Sequence, residues 1–209
     1  MPISDEKIGD FLDRLADRVP APAAGATAAL HAAQGAALLG QVARYTTGPK
    51  YAEHQVMISR VITEVDALRG IALRLAEADE DAFLALADAF RLPETTGEEK
   101  SARSSAIGQA LVNSAWPQAR VISVAAMVVD LAEALATIGN RNVIADVAAA
   151  AEAARAAVAT ARLNVEISLS SIADEQTSLD MISETGKADD IIRRAEQVTA
   201  AVREQIRAS

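Results

Sequence analysis

The sequence predicts an all-α protein, an antiparallel-type helical bundle of seven to nine helices forming a single domain over residues 1–209. Three observations predict it. The composition is 51% hydrophobic but only 3% aromatic, so the core must be built from Ala, Leu, Val and Ile, whose small side chains let helix axes approach closely. Apolar residues recur at i, i+3, i+4 and i+7 through one long segment after another. The only alternating stretch, residues 165–172, sits inside a longer helical run, so no strand is expected.

The elements follow in order. The first helix is expected after Ser4 as N-cap, with Asp5 and Glu6 set against the helix dipole and Ile8, Phe11, Leu12 and Leu15 on one face. Pro20-Ala21-Pro22 stops it, since the residue before a proline disfavours helix. A second helix runs from about Ala23 to Tyr45, apolar on nearly every side, which marks a central helix. Thr46-Thr47-Gly48-Pro49 is a turn.

A long helical pattern from about Tyr51 to Leu92 carries the stripe Val61, Val65, Leu68, Ala72, Leu75, Asp79, Ala82, Leu86 and Phe90. Asp79 is the exception in that stripe. A carboxylate on a buried face is costly unless partnered or open to a cleft. Thr96-Gly97-Glu98-Glu99 fits a capping box for the next helix, expected to reach about Ala115 before Trp116-Pro117 kinks or restarts the chain. Gly139-Asn140 reads as a C-cap and turn, Val143 to Ile172 as another Ala-rich helix, and residues 174–184 and 188–207 as two closing helices.

Composition also excludes functions. There is no cysteine, which removes disulfides, thiolate metal sites and cysteine nucleophiles together. The two histidines, His31 and His54, lack the matched spacing of a zinc site, so no metal is expected. A net charge of −9 with no basic cluster argues against a nucleic-acid partner. The start of the chain is acidic and polar, and no membrane span or leader is expected, so a cytoplasmic location follows.

Several turns and polar groups, taken in order, carry a resemblance. These are Val19-Pro20-Ala21-Pro22 with Gly25, Tyr45-Thr46-Thr47-Gly48-Pro49-Lys50, Asp79-Glu80-Asp81-Ala82-Phe83, and Arg91-Leu92-Pro93 with Glu98-Glu99-Lys100. Pro117, Gly139-Asn140 with Asp146-Val147, Asn164-Val165 with Ile167, and Asp174 complete the set. Over roughly residues 10–175 the chain resembles the cyclodeaminase domain of formiminotransferase-cyclodeaminase and its stand-alone relatives, the methenyltetrahydrofolate cyclohydrolases. The resemblance implies a homodimer acting on a tetrahydrofolate derivative as substrate. No permanently bound cofactor is implied. The implied reaction closes or opens the one-carbon bridge between N5 and N10 by carboxylate acid–base catalysis.

It also implies the residues. Asp146 and Asp79 are the candidate catalytic carboxylates. Gly25, Lys50, Asn140 and Asn164 are the candidate substrate-binding residues, with Asn140 also read as a turn residue of positive φ. The chain departs from the family at one loop: relatives read Pro-x-Pro-Gly-Gly-Gly-Ser where this chain has Pro20-Ala21-Pro22-Ala23-Ala24-Gly25-Ala26. Alanine resists the φ > 0 that glycine allows, and a hydroxyl is lost at a helix N-terminus, so weaker folate binding is expected. Ala145 and Ser168 likewise stand where relatives carry Ser and Asn. A divergent member acting on a non-folate substrate, by C–N cyclisation or hydration, and a non-catalytic binding dimer are the alternatives.

Overall fold

In the computed structural model, which describes residues 2–169, 172 and 174–208, those residues form seven α-helices and three short 3-10 turns, with no strand. The helices are α1 (Ile8–Ala16), α2 (Ala24–Tyr45), α3 (Gln55–Phe90), α4 (Gly97–Ile138), α5 (Ile144–Leu169), α6 (Glu175–Thr185) and α7 (Ala188–Arg207).

α2 is the axis of the bundle and packs on α3, α4 and α5. Its Ala26, Ala28, Ala29, Ala32 and Ala36 have no solvent exposure, and between its two ends a stripe at Gln34, Ala37 and Gln41 faces outward. Because these side chains are single methyl groups, neighbouring backbones come close: a Cβ on Gly35 would lie 3.0 Å from the Ala150 carbonyl oxygen and 3.1 Å from Val128 Cγ1. Gly35→Val is therefore expected to destabilise the chain by roughly 1–3 kcal/mol through overpacking, read as a lower midpoint in urea.

The directions of the helices follow from residues that meet. Gly25 abuts Asp79 near one end of α2, while Arg44 at the other end pairs with Asp66, so α3 runs antiparallel to α2. Gln118 of α4 meets Asp79, and Met127 to Ala134 of α4 share a groove with Val56 to Ile71 of α3, again antiparallel. α7 lies on α5 and α4, held by Arg194 between Asp130 and Glu133 and by the Thr199 hydroxyl donating to Glu152. α6 inserts Met181 among Ala115, Ala119 and Val165.

Several local expectations are met. Thr96 and Glu99 form the reciprocal capping box of α4. Gly48 takes the one positive φ among the described glycines, +95°, in the turn before Pro49. Gly139 caps α4, its N–H donating to the Leu135 carbonyl at 2.7 Å. The helix expected over 174–184 is α6, Glu175–Thr185, with Asp174 at its N-cap accepting from the Thr177 N–H at 2.7 Å.

Others are corrected. Ser4 does not cap α1: it lies in the 3-10 turn Ile3–Asp5, its hydroxyl donates to Glu77, and α1 starts only at Ile8. On α1, Phe11 is buried but Ile8 is 80% exposed, so only half of its apolar stripe faces the bundle. The stripe on α3 holds at Val61, Val65, Leu68, Ala72, Asp79 and Leu86, but Ala76 and Ala89 are buried beside it and Phe90, expected on it, is exposed. α4 runs unbroken through Pro117. By length and composition α4 would also suffice to cross a membrane, but half of its most apolar stretch is buried in the bundle.

Candidate active site

The chain entering α2 carries no capping side chain: Ala23 occupies the N-cap position with extended backbone, φ −142° and ψ −162°. The first N–H groups of a helix need acceptors and carry partial positive charge. Here the acceptor comes from α3. Asp79 lies against the first turn of α2, accepts from the Ala26 backbone N–H, and presses on Gly25, where a Cβ would fall 2.1 Å from Asp79 Oδ1. Gly25 is glycine because the carboxylate occupies the place of its side chain.

Asp79 is 8% exposed. Its Oδ1 also accepts from Gln118 Nε2 of α4 at 2.6 Å, and Gln118 Oε1 in turn accepts from Asn164 Nδ2 of α5 at 3.4 Å. Burial pushes the Asp79 carboxyl up to about 6, and neighbouring Glu80 pushes the same way. The hydrogen bonds from Gln118 and Ala26 favour the charged form and offset part of that rise. Glu80 is itself engaged by Arg14 of α1, which bridges it to Glu6. A carboxyl that titrates near neutrality can both accept and return a proton at working pH.

This cluster walls a cavity of about 190 Å³ formed by Ala23, Ala24 and Gly25 of α2, Asp79, Phe83 and Leu86 of α3, Leu111, Ser114 and Gln118 of α4, and Asn164, Ile167 and Ser168 of α5. Phe83 and Ile167 stand partly in solvent at its edge. The two largest hollows lack such a group. One of about 620 Å³ is lined by Glu6, Glu77, Glu80 and Asp81 with Arg14 among them. The other, about 1030 Å³, is a mainly apolar groove between α3 and α4. Among the described residues no three His, Asp or Glu side chains are grouped to hold a metal ion.

Of the six candidate residues, Asp79, Gly25 and Asn164 are thus brought together. The other three lie elsewhere. Asp146, half-buried in the first turn of α5, is reached by Gln41 Nε2 at 3.4 Å. Sixteen helical residues separate Gln41 from Gly25, which puts Asp146 about 24 Å along α2 from the Asp79 cluster. Lys50 sets its ammonium 5.3 Å from the Tyr51 ring centre, in a hollow of about 170 Å³ shared with His54, Gly139 and Arg141.

Asn140 is occupied by the fold. It donates to the Tyr45 carbonyl at 2.7 Å and accepts from the Asn142 N–H at 3.0 Å, and its own N–H bonds Thr46 Oγ1. Its φ is −64°, not positive, because it caps the 3-10 turn Arg141–Val143. The loop alanines need correcting too. No described residue other than glycine has positive φ, so Ala23 and Ala24 carry no backbone strain, and their effect is limited to two methyl groups and a missing cap.

Sequence reasoning missed Gln118. The available signal was a long polar side chain directly after a mid-helix proline, between Ala115 and Val121 on the face that α4 buries.

Comparison with known proteins matches these features to one family. The formiminotransferase-cyclodeaminase family model aligns with residues 7–187. The chain is 35% identical over 181 residues to the methenyltetrahydrofolate cyclohydrolase of Methylorubrum extorquens, covering 86% of this chain and 87% of that protein. It is also 35% identical over 167 residues to the formimidoyltransferase-cyclodeaminase of Sus scrofa, which covers 79% of this chain but only 31% of that longer protein. The crystal structure of formiminotetrahydrofolate cyclodeaminase from Thermotoga maritima superposes with a TM-score of 0.85 at 25% identity, covering 98% of this chain and 99% of that one. The chain belongs to the formiminotransferase-cyclodeaminase family.

Proposed function

We propose that this folate one-carbon enzyme opens the methenyl bridge of a tetrahydrofolate, with Asp79 as the acid–base group. Water adds to the cationic methenyl carbon and gives its proton to the Asp79 carboxylate. The resulting neutral tetrahedral carbon then expels one folate nitrogen, which takes the proton back from Asp79 as its bond to carbon breaks, while the hydroxyl gives its proton to water and becomes the formyl carbonyl. Until water adds, the carboxylate also faces the positive charge of the substrate. The observation that carries this reading is Asp79 itself, desolvated at the wall of a cavity and raised to about 6 while still bonded to Gln118 and Ala26.

The expected result is loss of methenyltetrahydrofolate absorbance faster than the uncatalysed rate. Since the carboxyl must be ionised to accept the proton, kcat/KM should rise with pH through about 6 and level off above it. A rate indistinguishable from the buffer reaction at every pH would overturn the reading.

Cyclodeamination is the second reading, favoured by the Thermotoga maritima cyclodeaminase whose fold this chain shares over nearly its full length. There a folate nitrogen attacks the formimino carbon and ammonia leaves, and the same carboxyl serves. Ammonia release from formiminotetrahydrofolate separates the two. A homodimer belongs to this reading as well. It is supported by the exposed Val56, Met57 and Met127 along the groove between α3 and α4, rather than by α2, most of which the chain covers by itself.

A further inference from the structure

We propose that Gln118 is a positioning residue for Asp79: its amide N–H on Oδ1 fixes the carboxylate at the cavity wall and favours the charged form that accepts the proton. The inference rests on the reading of Asp79 as the acid–base group, and it concerns a residue on a different helix that no sequence motif marks.

The geometry is a three-membered relay across three helices. Gln118 is 1% exposed and makes its 2.6 Å bond with its N–H to Asp79 Oδ1. An amide presents a donor on one side and an acceptor on the other, so its orientation decides whether it attracts or repels a carboxylate. Asn164 decides it. Its Nδ2 donates to Gln118 Oε1, which leaves Nε2 facing Asp79, and a flipped amide would set two acceptors against each other. The Gln118 N–H on Oδ1, beside the Ala26 N–H that the carboxylate also accepts, holds Asp79 in place and favours its charged form against burial.

Few other charges compete for this group. Glu80, next to it on α3, is the charged residue whose field reaches Asp79, and Glu80 is paired with Arg14 of α1. The residues that α2, α4 and α5 contribute to the cavity carry no ionisable side chain.

The test compares Gln118→Leu and Gln118→Glu with the parent in methenyltetrahydrofolate hydrolysis over pH 5–9, beside Asp79→Asn, with melting curves for each. In Gln118→Leu the plateau kcat should fall about ten- to a hundredfold, the scale of one hydrogen bond to a charged group, with KM nearly unchanged. Loss of the donor leaves burial unopposed on that oxygen, so the rising limb of kcat/KM should move upward by about one pH unit. Gln118→Glu should move it further, because two carboxyls at this distance share one proton.

A uniform loss of activity with the limb in place would make Gln118 a structural filler and overturn the inference. If the Gln118 variants unfold, Asn164→Leu carries the test. It removes the orienting donor and should shift the limb in the same direction by less; an unmoved limb there overturns the inference equally. Full activity in Asp79→Asn would remove the parent reading and this inference together. An inactive Asp79→Asn beside an unshifted Gln118→Leu would remove only this one.

Discussion

Asp79→Asn should stabilise the protein at neutral pH while abolishing its activity. The carboxyl titrates near 3.8 when unfolded and near 6 in the fold, so between those values the folded state binds the extra proton. Stability contributed by this group is therefore complete below about pH 4 and is lost as pH rises toward 6. Above that, holding the charge in place costs on the order of 3 kcal/mol, at 1.36 kcal/mol per unit. Asparagine has the same shape without the charge. It offers one oxygen to the two donors, Gln118 and the Ala26 N–H, and one lost bond returns about 1–2 kcal/mol of the gain.

The net expectation at pH 7.5 is a melting temperature a few degrees higher than the parent, since 1 kcal/mol is worth about 2–4 °C at this chain length. At pH 4 the difference should vanish or change sign, because the parent carboxyl is then protonated. Turnover should fall by about 100-fold or more, the scale of an acid–base group. A variant less stable at neutral pH would mean that the Asp79 charge is needed to cap α2. Such opposite movement of stability and activity is what a buried functional charge produces and a structural one does not.

How far the sequence carries is decided by the range of the signal. Asp79 was visible because a carboxylate interrupts an apolar stripe within one helix, and the capping box at Thr96 because both partners lie three residues apart. Gln118 and Asn164 were not visible as a pair with Asp79. They stand 39 and 85 positions further along the chain, and only the antiparallel register of α3, α4 and α5 brings them together. The same register separates Asp146, which the resemblance groups with Asp79, by most of the length of α2.

Pro117 misled for a related reason. The missing N–H and the ring clash would break an isolated helix, but packing of α4 against α3, α5 and α2 on both sides of the proline outweighs that local penalty. On α1 the error ran the other way: its spacing is helical, yet Ile8 and Leu12 lie where the described chain puts nothing over them.

Gly25→Ala should be the most damaging single methyl in the molecule. The added Cβ would stand 2.1 Å from Asp79 Oδ1 and 2.4 Å from its Cγ and its Oδ2. Neither side can yield easily. Gly25 is fixed in the first turn of α2, and Asp79 is held by Gln118 on one oxygen while it caps Ala26. Relief requires Asp79 to rotate out of the site, which leaves the α2 N–H groups uncapped, strands the Gln118 donor in a buried place and takes the acid–base group from the cavity. Loss of turnover by about 100-fold or more is expected, with destabilisation of roughly 1–3 kcal/mol from overpacking. A double-mutant cycle isolates the cause. Asp79→Ala removes the three atoms that the methyl would strike, so Gly25→Ala should cost far less stability in that background, with a coupling within about 0.5–3 kcal/mol. The double variant stays inactive because no carboxyl remains to move the proton. Additive stability losses would show that Gly25 is required for the backbone of the loop and not to make room for Asp79.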